Sequence, residues 1–457
     1  MKTGYIHRKS MNPCGLRFDS SYHLSDGVAV KRVIASSPYP LMPIEKAADR
    51  IFIGGRARRV YVKDREHGIP FLSSSDILQA DLEAVKLASK KYTPNVEDMK
   101  LQKGWTLITR SGTIGNCAFA NAKHAQKLAS EHVIRLVPNN ILREGYIYAY
   151  LASKQGYSLL TQGTFGAVIQ HIEPAYVASL PIPVAPESFQ QEVDDLIQES
   201  ARLREEAASL LEEAKNLLSD YINIDFVSTS GCVKATRNIQ DIRKSLQCRL
   251  DPPALMNNGV LTLEQMKEKC VKLAGCNVRV YRPGIFKRCY VKEGLPYIKG
   301  SEIFTVNPFM RCDHLSRSKT PFVDLMKLRE GQLLITCAGS VGQVKYITKE
   351  YEDKGAIGSQ DIIRLESQDA LYTAEYLFAY LQLSLVYDYM QSMKYGSVIE
   401  RIEPFHVESI PVIKPTQELS NKITALINQY KDCTYRAFCA EEKAISMVEQ
   451  EIESWTK

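Results

Sequence analysis

The chain is written twice. RRVYVKDREHGIPFLSSSDI (58–77) realigns with KRCYVKEGLPYIKGSEI (287–303), and GWTLITRSGTIGNCAF (104–119) with GQLLITCAGSVGQVKY (331–346). SEHVIRLVP (130–138) matches SQDIIRLES (359–367), and GTFGAVIQHIEPAYVASLPIPVAP (163–186) matches KYGSVIERIEPFHVESIPVIKP (394–415). The pairs Pro70/Pro296, Gly112/Gly339, Ser130/Ser359 and Glu173/Glu403 stand 226, 227, 229 and 230 residues apart. A near-constant offset through four separate blocks is the mark of a tandem duplication, so the chain must fold as two copies of one structure. A shorter echo, LRFD at 16–19 against CRLD at 248–251, opens the two copies.

Inside each copy, short runs rich in Val, Ile, Tyr and Thr alternate with Gly, Pro and Ser, the pattern of strands and turns. A stretch with apolar residues every three or four positions follows at 146–160 and again at 374–390, and predicts one helix on the sheet. The texture then changes. From Ser188 to Ile222 no Pro or Gly occurs, and apolar or small residues recur at Phe189, Val193, Leu196, Ser200, Leu203, Ala207, Leu210, Ala214, Leu217 and Tyr221. After Thr416, an N-cap candidate, the second copy repeats the seam at Leu419, Ile423, Leu426, Tyr430, Cys433, Ala437, Ala440, Ala444 and Met447. Sustained 4-3 spacing predicts a coiled coil, and two equal helices at equivalent points predict that they pair with each other, antiparallel. The bland alternative is two helices lying separately on their own domains. At 1.5 Å per residue each would be a rod of roughly 50 Å. The expected class is α+β: two tandem sheet-rich domains, 1–186 and 224–415, separated and followed by spacer helices at 187–223 and 416–457. Pro38, Pro40 and Pro43 break any regular reading of the first fifty residues.

Composition narrows the function. With 45% hydrophobic and 24% charged residues the 457-residue chain reads as globular rather than disordered. No run approaches the roughly 18 apolar residues of a membrane span, and the start lacks a secretory h-region, so the expectation is a cytoplasmic protein. Eleven cysteines are scattered with no CxxC pair, which argues against disulfides and against zinc. A net charge of +6 permits nucleic acid without demanding it.

Catalytic patterns are missing. Asp251-Pro252-Pro253 begins the tetrad of an adenine methyltransferase, but Ala254 stands where the stacking ring belongs, and the segment reads as a turn. Gly112/Gly115 and Gly339/Gly342 are too closely spaced for a phosphate loop and no Lys follows. No nuclease carboxylate set or Ser-His-Asp arrangement stands out. A stand-alone DNA-modifying enzyme is therefore the weaker alternative, and a two-headed protein-binding scaffold is another.

Two diverged heads suit the reading of two short DNA elements. Arg58, Arg59 and Lys63, with Lys287, Arg288 and Lys292, form equivalent basic clusters able to neutralise phosphates, against the bland reading of a guarded strand edge. Arg110, Ser111 and Thr113 lie beside the paired glycines, and Ser340 at the matching turn. Arg can fork onto guanine, though such turns also form with incidental side chains. Thr164, Phe165, Gln170 and His171 face Lys394, Tyr395, Glu400 and Arg401 as base-capable positions that differ between copies, as readers of different half-sites should. Glu173-Pro174 and Glu403-Pro404 are the same in both and read as structural turns or helix caps. His132 opposite Asp361 reads as packing.

This order of parts resembles the specificity subunit of type I restriction-modification enzymes. GWTLITRSGTIG and GQLLITCAGSVG are similar to that family's GD-(I/L)-L-(I/L)-x-R-x-G-(S/T)-x-G element. GAVIQHIEP…LPIPVAP and GSVIERIEP…IPVIKP are similar to the close of its target recognition domain. Two departures stand out: Cys337 replaces the Arg of the first copy, and PESFQQE and PTQELSN replace the family's usual helix start. The resemblance implies a non-catalytic DNA reader with two recognition domains, each entering the major groove. It implies two methyltransferase subunits bound to the helices as partners, with a restriction-translocation subunit able to join. S-adenosylmethionine would be held by the methyltransferase, and no cofactor by this chain.

Overall fold

A computed structural model describes residues 17–455 except 18, 57–58, 84, 166–169, 224–237 and 245–247. The chain divides into two compact units, one built from 1–205 with 436–457 and the other from 206–435. The division falls within both long helices rather than at their starts. No described helix is long and apolar enough to cross a membrane.

The first unit is sheet-rich, as the alternating runs demand. Its strands are β1 (Leu41–Pro43), β2 (Ala48–Ile53), β3 (Tyr61–Val62), β4 (Gly68–Leu72), β5 (Leu87–Ser89), β6 (Thr106–Thr109), β7 (Cys117–Phe119), β8 (Leu128–Ala129), β9 (Val133–Pro138) and β10 (Pro181–Pro183). One sheet has the order β2-β9-β6-β7, another β3-β5-β4-β8, and β1 pairs with β10. Only β4 and β8 run parallel among these pairs. The second unit repeats the plan. Its strands are β11 (Cys270–Lys272), β12 (Val278–Tyr281), β13 (Tyr290–Val291), β14 (Leu295–Ile298), β15 (Asp313–Leu315), β16 (Leu333–Thr336), β17 (Val344–Tyr346), β18 (Ile357–Gly358), β19 (Ile362–Ser367) and β20 (Pro411–Ile413). They order as β12-β19-β16-β17, β13-β15-β14-β18 and β11-β20. The proline-broken opening thus has a use: Leu41–Pro43 closes the unit against the I-P step before the long helix.

The stretch predicted as one helix is two in each unit, Glu144–Ala152 then Lys154–Gln162, and Ala374–Leu381 then Ser384–Ser392. In the first unit Ser153 breaks the run. Its hydroxyl caps the second helix by accepting from the Gly156 N–H at 3.0 Å, and a Cβ at Gly156 would lie 2.1 Å from the Tyr150 carbonyl. The first helix of the pair is apolar all round and therefore buried. Its tyrosines carry hydroxyls inward and must pair them. Tyr146 donates to the Pro183 carbonyl at 2.9 Å and Tyr150 to that of Pro181 at 2.6 Å. Tyr376 and Tyr380 do the same for Ile413 and Pro411. Burial raises the pKa of all four hydroxyls.

The opening echo is an ion-paired fork. Arg17 grips Asp19 through two N–H groups and donates to the Thr164 carbonyl at 2.8 Å, while Arg249 grips Asp251 and donates to that of Ser392 at 2.9 Å. Asp251-Pro252-Pro253 is accordingly not a plain turn. Asp251 stands at the N-cap of a short helix, Pro252–Met256, whose first turn tolerates proline because its N–H groups are unpaired anyway.

The long helices span Glu187–Ile222 and Gln417–Ser454. In the first unit they touch directly: Ser200 donates to the Ala437 carbonyl at 2.7 Å, and Arg436 meets Glu199 at 3.4 Å. In the second unit Ala214 and Leu218 share one core with Leu419, Ile423 and Ile427. The opening of each helix thus shares a unit with the end of the other, as antiparallel pairing requires. The buried stripe is broader than the expected seam and partly displaced from it. Val193, Ser200, Leu203, Ala207 and Ala214 are buried as read, but Ile197 and Leu218 replace Leu196 and Leu217, and Tyr221 is exposed.

His124 is buried in the first unit, its Nδ1 taking the Asn121 N–H and its Nε2 donating to the Ile77 carbonyl, both at 3.3 Å. Burial pulls its pKa down to about 4. The folded ring stays neutral while the unfolded one charges below about 6.5, so stability is lost as pH falls from 6.5 to 4 and levels off below. Urea unfolding should lose roughly 3 kcal/mol across that window relative to a His124→Gln variant. Parallel pH curves for the two proteins would refute it.

Candidate nucleic-acid interface

In each unit a glycine turn and a hairpin lie side by side. The turn follows β6 at 110–115 and β16 at 337–342. Gly112, Gly115, Gly339 and Gly342 have φ of +79°, +82°, +74° and +88°, a region closed to most side chains. A hydroxyl closes each turn from inside: Thr109 donates to the Thr113 carbonyl, and Thr336 to that of Ser340. The paired glycines are therefore required by the turn itself.

The hairpin is joined by Phe165 and His171, which exchange backbone hydrogen bonds of 3.0 and 2.9 Å, and in the second unit by Tyr395 and Arg401 at 3.1 and 2.9 Å. Single bridges tie the hairpins to the turns, Ser111 to His171 and Ala338 to Arg401. The following Glu-Pro dipeptides are helix starts, Glu173 and Glu403 standing at the N-caps of Pro174–Ala178 and Pro404–Glu408.

This frame gathers much of the expected set in the first unit. Arg110 pairs with Glu173, which His171 also approaches at 3.4 Å. Ser111 is 7% exposed and sits 2.7 Å from His132 Nδ1. Phe165 is 41% exposed with the His171 ring centred 4.2 Å away. Thr164 precedes the hairpin, Gln170 lies within it beside His171, and Thr113 is exposed in the turn. Arg59 reaches the same edge through Glu131 at 3.0 Å, its guanidinium over the Phe71 ring. That carboxylate is held below its usual range, with Arg59 among the causes, although burial opposes the shift. Lys63 is exposed beyond β3, and Arg58 falls outside the described residues.

The second unit repeats the edge with other side chains. Arg288 lies over the Tyr297 ring, donates its Nε–H to the Tyr297 hydroxyl oxygen at 2.8 Å and faces Asp361 at 3.5 Å. Lys394 pairs with Glu400, and the Tyr395 hydroxyl donates to Glu403 at 3.1 Å. Arg401 is half-buried at the bridge to Ala338, while Lys287, Lys292 and Ser340 are exposed. Cys337 is buried, which raises its thiol pKa.

Three features escaped the sequence reading. Arg282 pairs with Glu403 at 3.1 Å, a cation recoverable only by asking what replaces Arg110 in the second copy. Glu131 holds Arg59 and Asp361 faces Arg288. Val398 and Ile399, 93% and 55% exposed, form the second hairpin's tip, where β-branched residues read as core.

A family model for the type I restriction modification DNA specificity domain matches residues 54–202 and again 285–436. No protein of curated function matches the chain. Among solved structures it is similar to the S subunit of a type I restriction-modification system from M. genitalium, at 13% identity over 91% of this chain and 96% of that one, TM-score 0.33. It is also similar to the HsdS subunit from Thermoanaerobacter tengcongensis, at 13% identity over 92% and 97%, TM-score 0.27. Scores this low carry no argument; the two family matches, one in each repeat, do.

Proposed function

The chain belongs to the type I restriction-modification DNA specificity family, and on that premise we propose that it reads a two-part target on double-stranded DNA and directs partner N6-adenine methyltransferase subunits to it. Recognition, not catalysis, is its part. One observation carries the two-part reading: the turn and hairpin recur in one frame in both units while the side chains they present differ. His171 with Gln170 stands against Arg401 with Glu400, and Ser111 against Ala338. A shared frame with different donors and acceptors suits two half-sites of different sequence.

Two methyltransferase subunits, one per repeat, match a duplicated docking chain. S-adenosylmethionine would be bound by them, and a restriction-translocation subunit can complete the assembly. The cytoplasm follows from a DNA substrate.

Modification mapping of host DNA with and without the gene tests the proposal. The expected result is loss of N6-methyladenine from one split motif, two short elements about a fixed gap. An unchanged methylome in a strain that makes the protein would overturn it. Weak, salt-insensitive DNA binding would then favour a protein-binding scaffold, because phosphate contacts impose a steep salt dependence.

A further inference from the structure

The two repeats hold the same glutamate with arginines from different strands. Glu173 and Glu403 are equivalent, each at the start of the helix after the hairpin. In the first unit the cation is Arg110, from the glycine turn. Its counterpart in the second unit is Cys337, and there Arg282, just beyond β12, meets Glu403 at 3.1 Å and the Cys337 sulfur at 4.0 Å. The counterpart of Arg282 can be read from the sheets. Tyr281 pairs with Arg364, and Phe52 with the equivalent Arg135, so Arg282 corresponds to Ile53. The first unit therefore has Ile53 with Arg110, and the second has Arg282 with Cys337. The cation has changed strands, and the position it left holds an uncharged residue in each case.

A base-reading arginine would not survive such a move, because its reach into a groove would change. A link to the carboxylate does survive it. The link also lies where a positioning contact would be useful. Arg110 donates its backbone N–H to the His132 carbonyl at 2.8 Å and accepts from Ile172 at 3.2 Å, and Cys337 accepts from Ile402 at 3.0 Å. Turn, hairpin and helix start meet at this point in both units.

We infer that Arg110–Glu173 and Arg282–Glu403 are one latch in two forms, and that Arg110 and Arg282 are positioning residues that hold the recognition hairpin against the glycine turn. The latch itself stands on geometry; its bearing on target choice rests on the function proposed above.

The test moves the cation. Full-length Arg110→Cys, the relocated pair Ile53→Arg with Arg110→Cys, and the reverse exchange Arg282→Ile with Cys337→Arg are compared by hydrogen exchange at 170–173 and 400–403. They are also compared by modification mapping in the host. Arg110→Cys should speed exchange at 170–173 about tenfold and abolish or relax the first element of the motif alone. Both relocated pairs should restore wild-type protection and the wild-type motif. Two results would overturn the inference: a relocated pair as impaired as Arg110→Cys, meaning that Arg110 acts from its own position, or Arg110→Cys indistinguishable from wild type. A wild-type chain that directs no methylation would remove the proposed function, and hydrogen exchange would still decide the latch.

Discussion

Arg135→Met is expected to destabilise the first unit by about 3 kcal/mol, and Arg364→Met to do the same to the second. Both arginines are fully buried on the inner strand of a four-stranded sheet. Among the described residues no carboxylate pairs with either; carbonyl oxygens do. Arg135 donates to Val133 and Ala129 at 2.8 and 2.5 Å, and to Ser130 and Met99 at 3.3 Å. Arg364 repeats this with Ile362 and Gly358 at 2.8 Å, and Ser359 and Met326 at 3.4 Å. Each thus ties the central sheet to the parallel strand of its neighbour, β8 or β18, and to the end of a one-turn helix. Burial lowers both pKa values to about 10, which leaves the charge intact near neutrality. Methionine keeps the stem's volume, so the loss isolates the hydrogen bonds, and a carbonyl left dry costs roughly 1–3 kcal/mol. Lysine should fare little better, lacking the planar fork. Denaturant unfolding of the full-length variants, with hydrogen exchange to assign the unit, is the measurement. A loss below about 1 kcal/mol would mean that the carbonyls pair well without the guanidinium.

Those arginines also mark where sequence reading stops. VIRLVP and IIRLES read correctly as strands, but alternation places a lone Arg on a wet face, and nothing local reveals four carbonyls converging on it. The duplication was legible because it needs only spacing, and the long helices because their seam runs unbroken. The seam's register was less legible. An α-helix turns every 3.6 residues, and a helix packed on its own domain as well as on a partner buries a stripe wider than a heptad. Ile197 and Leu218 enter the core for that reason. The turn and hairpin could be found from glycine pairs and repeated blocks. The partners of Arg110 and Arg59 could not, since Glu173 and Glu131 come from distant segments. The single predicted helix failed at Ser153, a capping residue whose effect depends on Gly156 fitting against the preceding turn.

The same comparison between units yields the second large effect: Glu441→Ala should cost the first unit about 3–5 kcal/mol. Glu441 is 1% exposed on the second long helix, where it accepts from the Tyr148 hydroxyl at 2.7 Å and pairs with Arg204 of the first long helix at 3.0 Å. Removing the carboxylate takes that partner from a largely buried guanidinium and the acceptor from a buried phenol, the costly half of a buried ion pair. Among the described residues the second unit has no such triad at the equivalent place. An ungapped offset of 230 along the helices and the preceding block puts Phe378, Leu211 and Thr434 at the equivalent positions. Phe378 packs in the core there with its ring 5.5 Å from that of Tyr430, Leu211 lies against the same core, and Thr434 donates to its own helix at 2.8 Å. The protein has thus solved one packing problem twice, once with charge and once without. Transplanting the apolar solution as Tyr148→Phe, Arg204→Thr and Glu441→Leu should return stability to within about 1.5 kcal/mol of wild type or above it, since well-packed apolar groups commonly match a buried pair. Urea unfolding of the single and triple variants decides the matter. If the triple variant is as unstable as Glu441→Ala, the triad supplies net stability to the helix pair rather than merely tolerating its own burial. If it recovers while the helices lose their register by cysteine cross-linking, the charges serve to align two helices of similar sequence, the role best attested for buried polar groups.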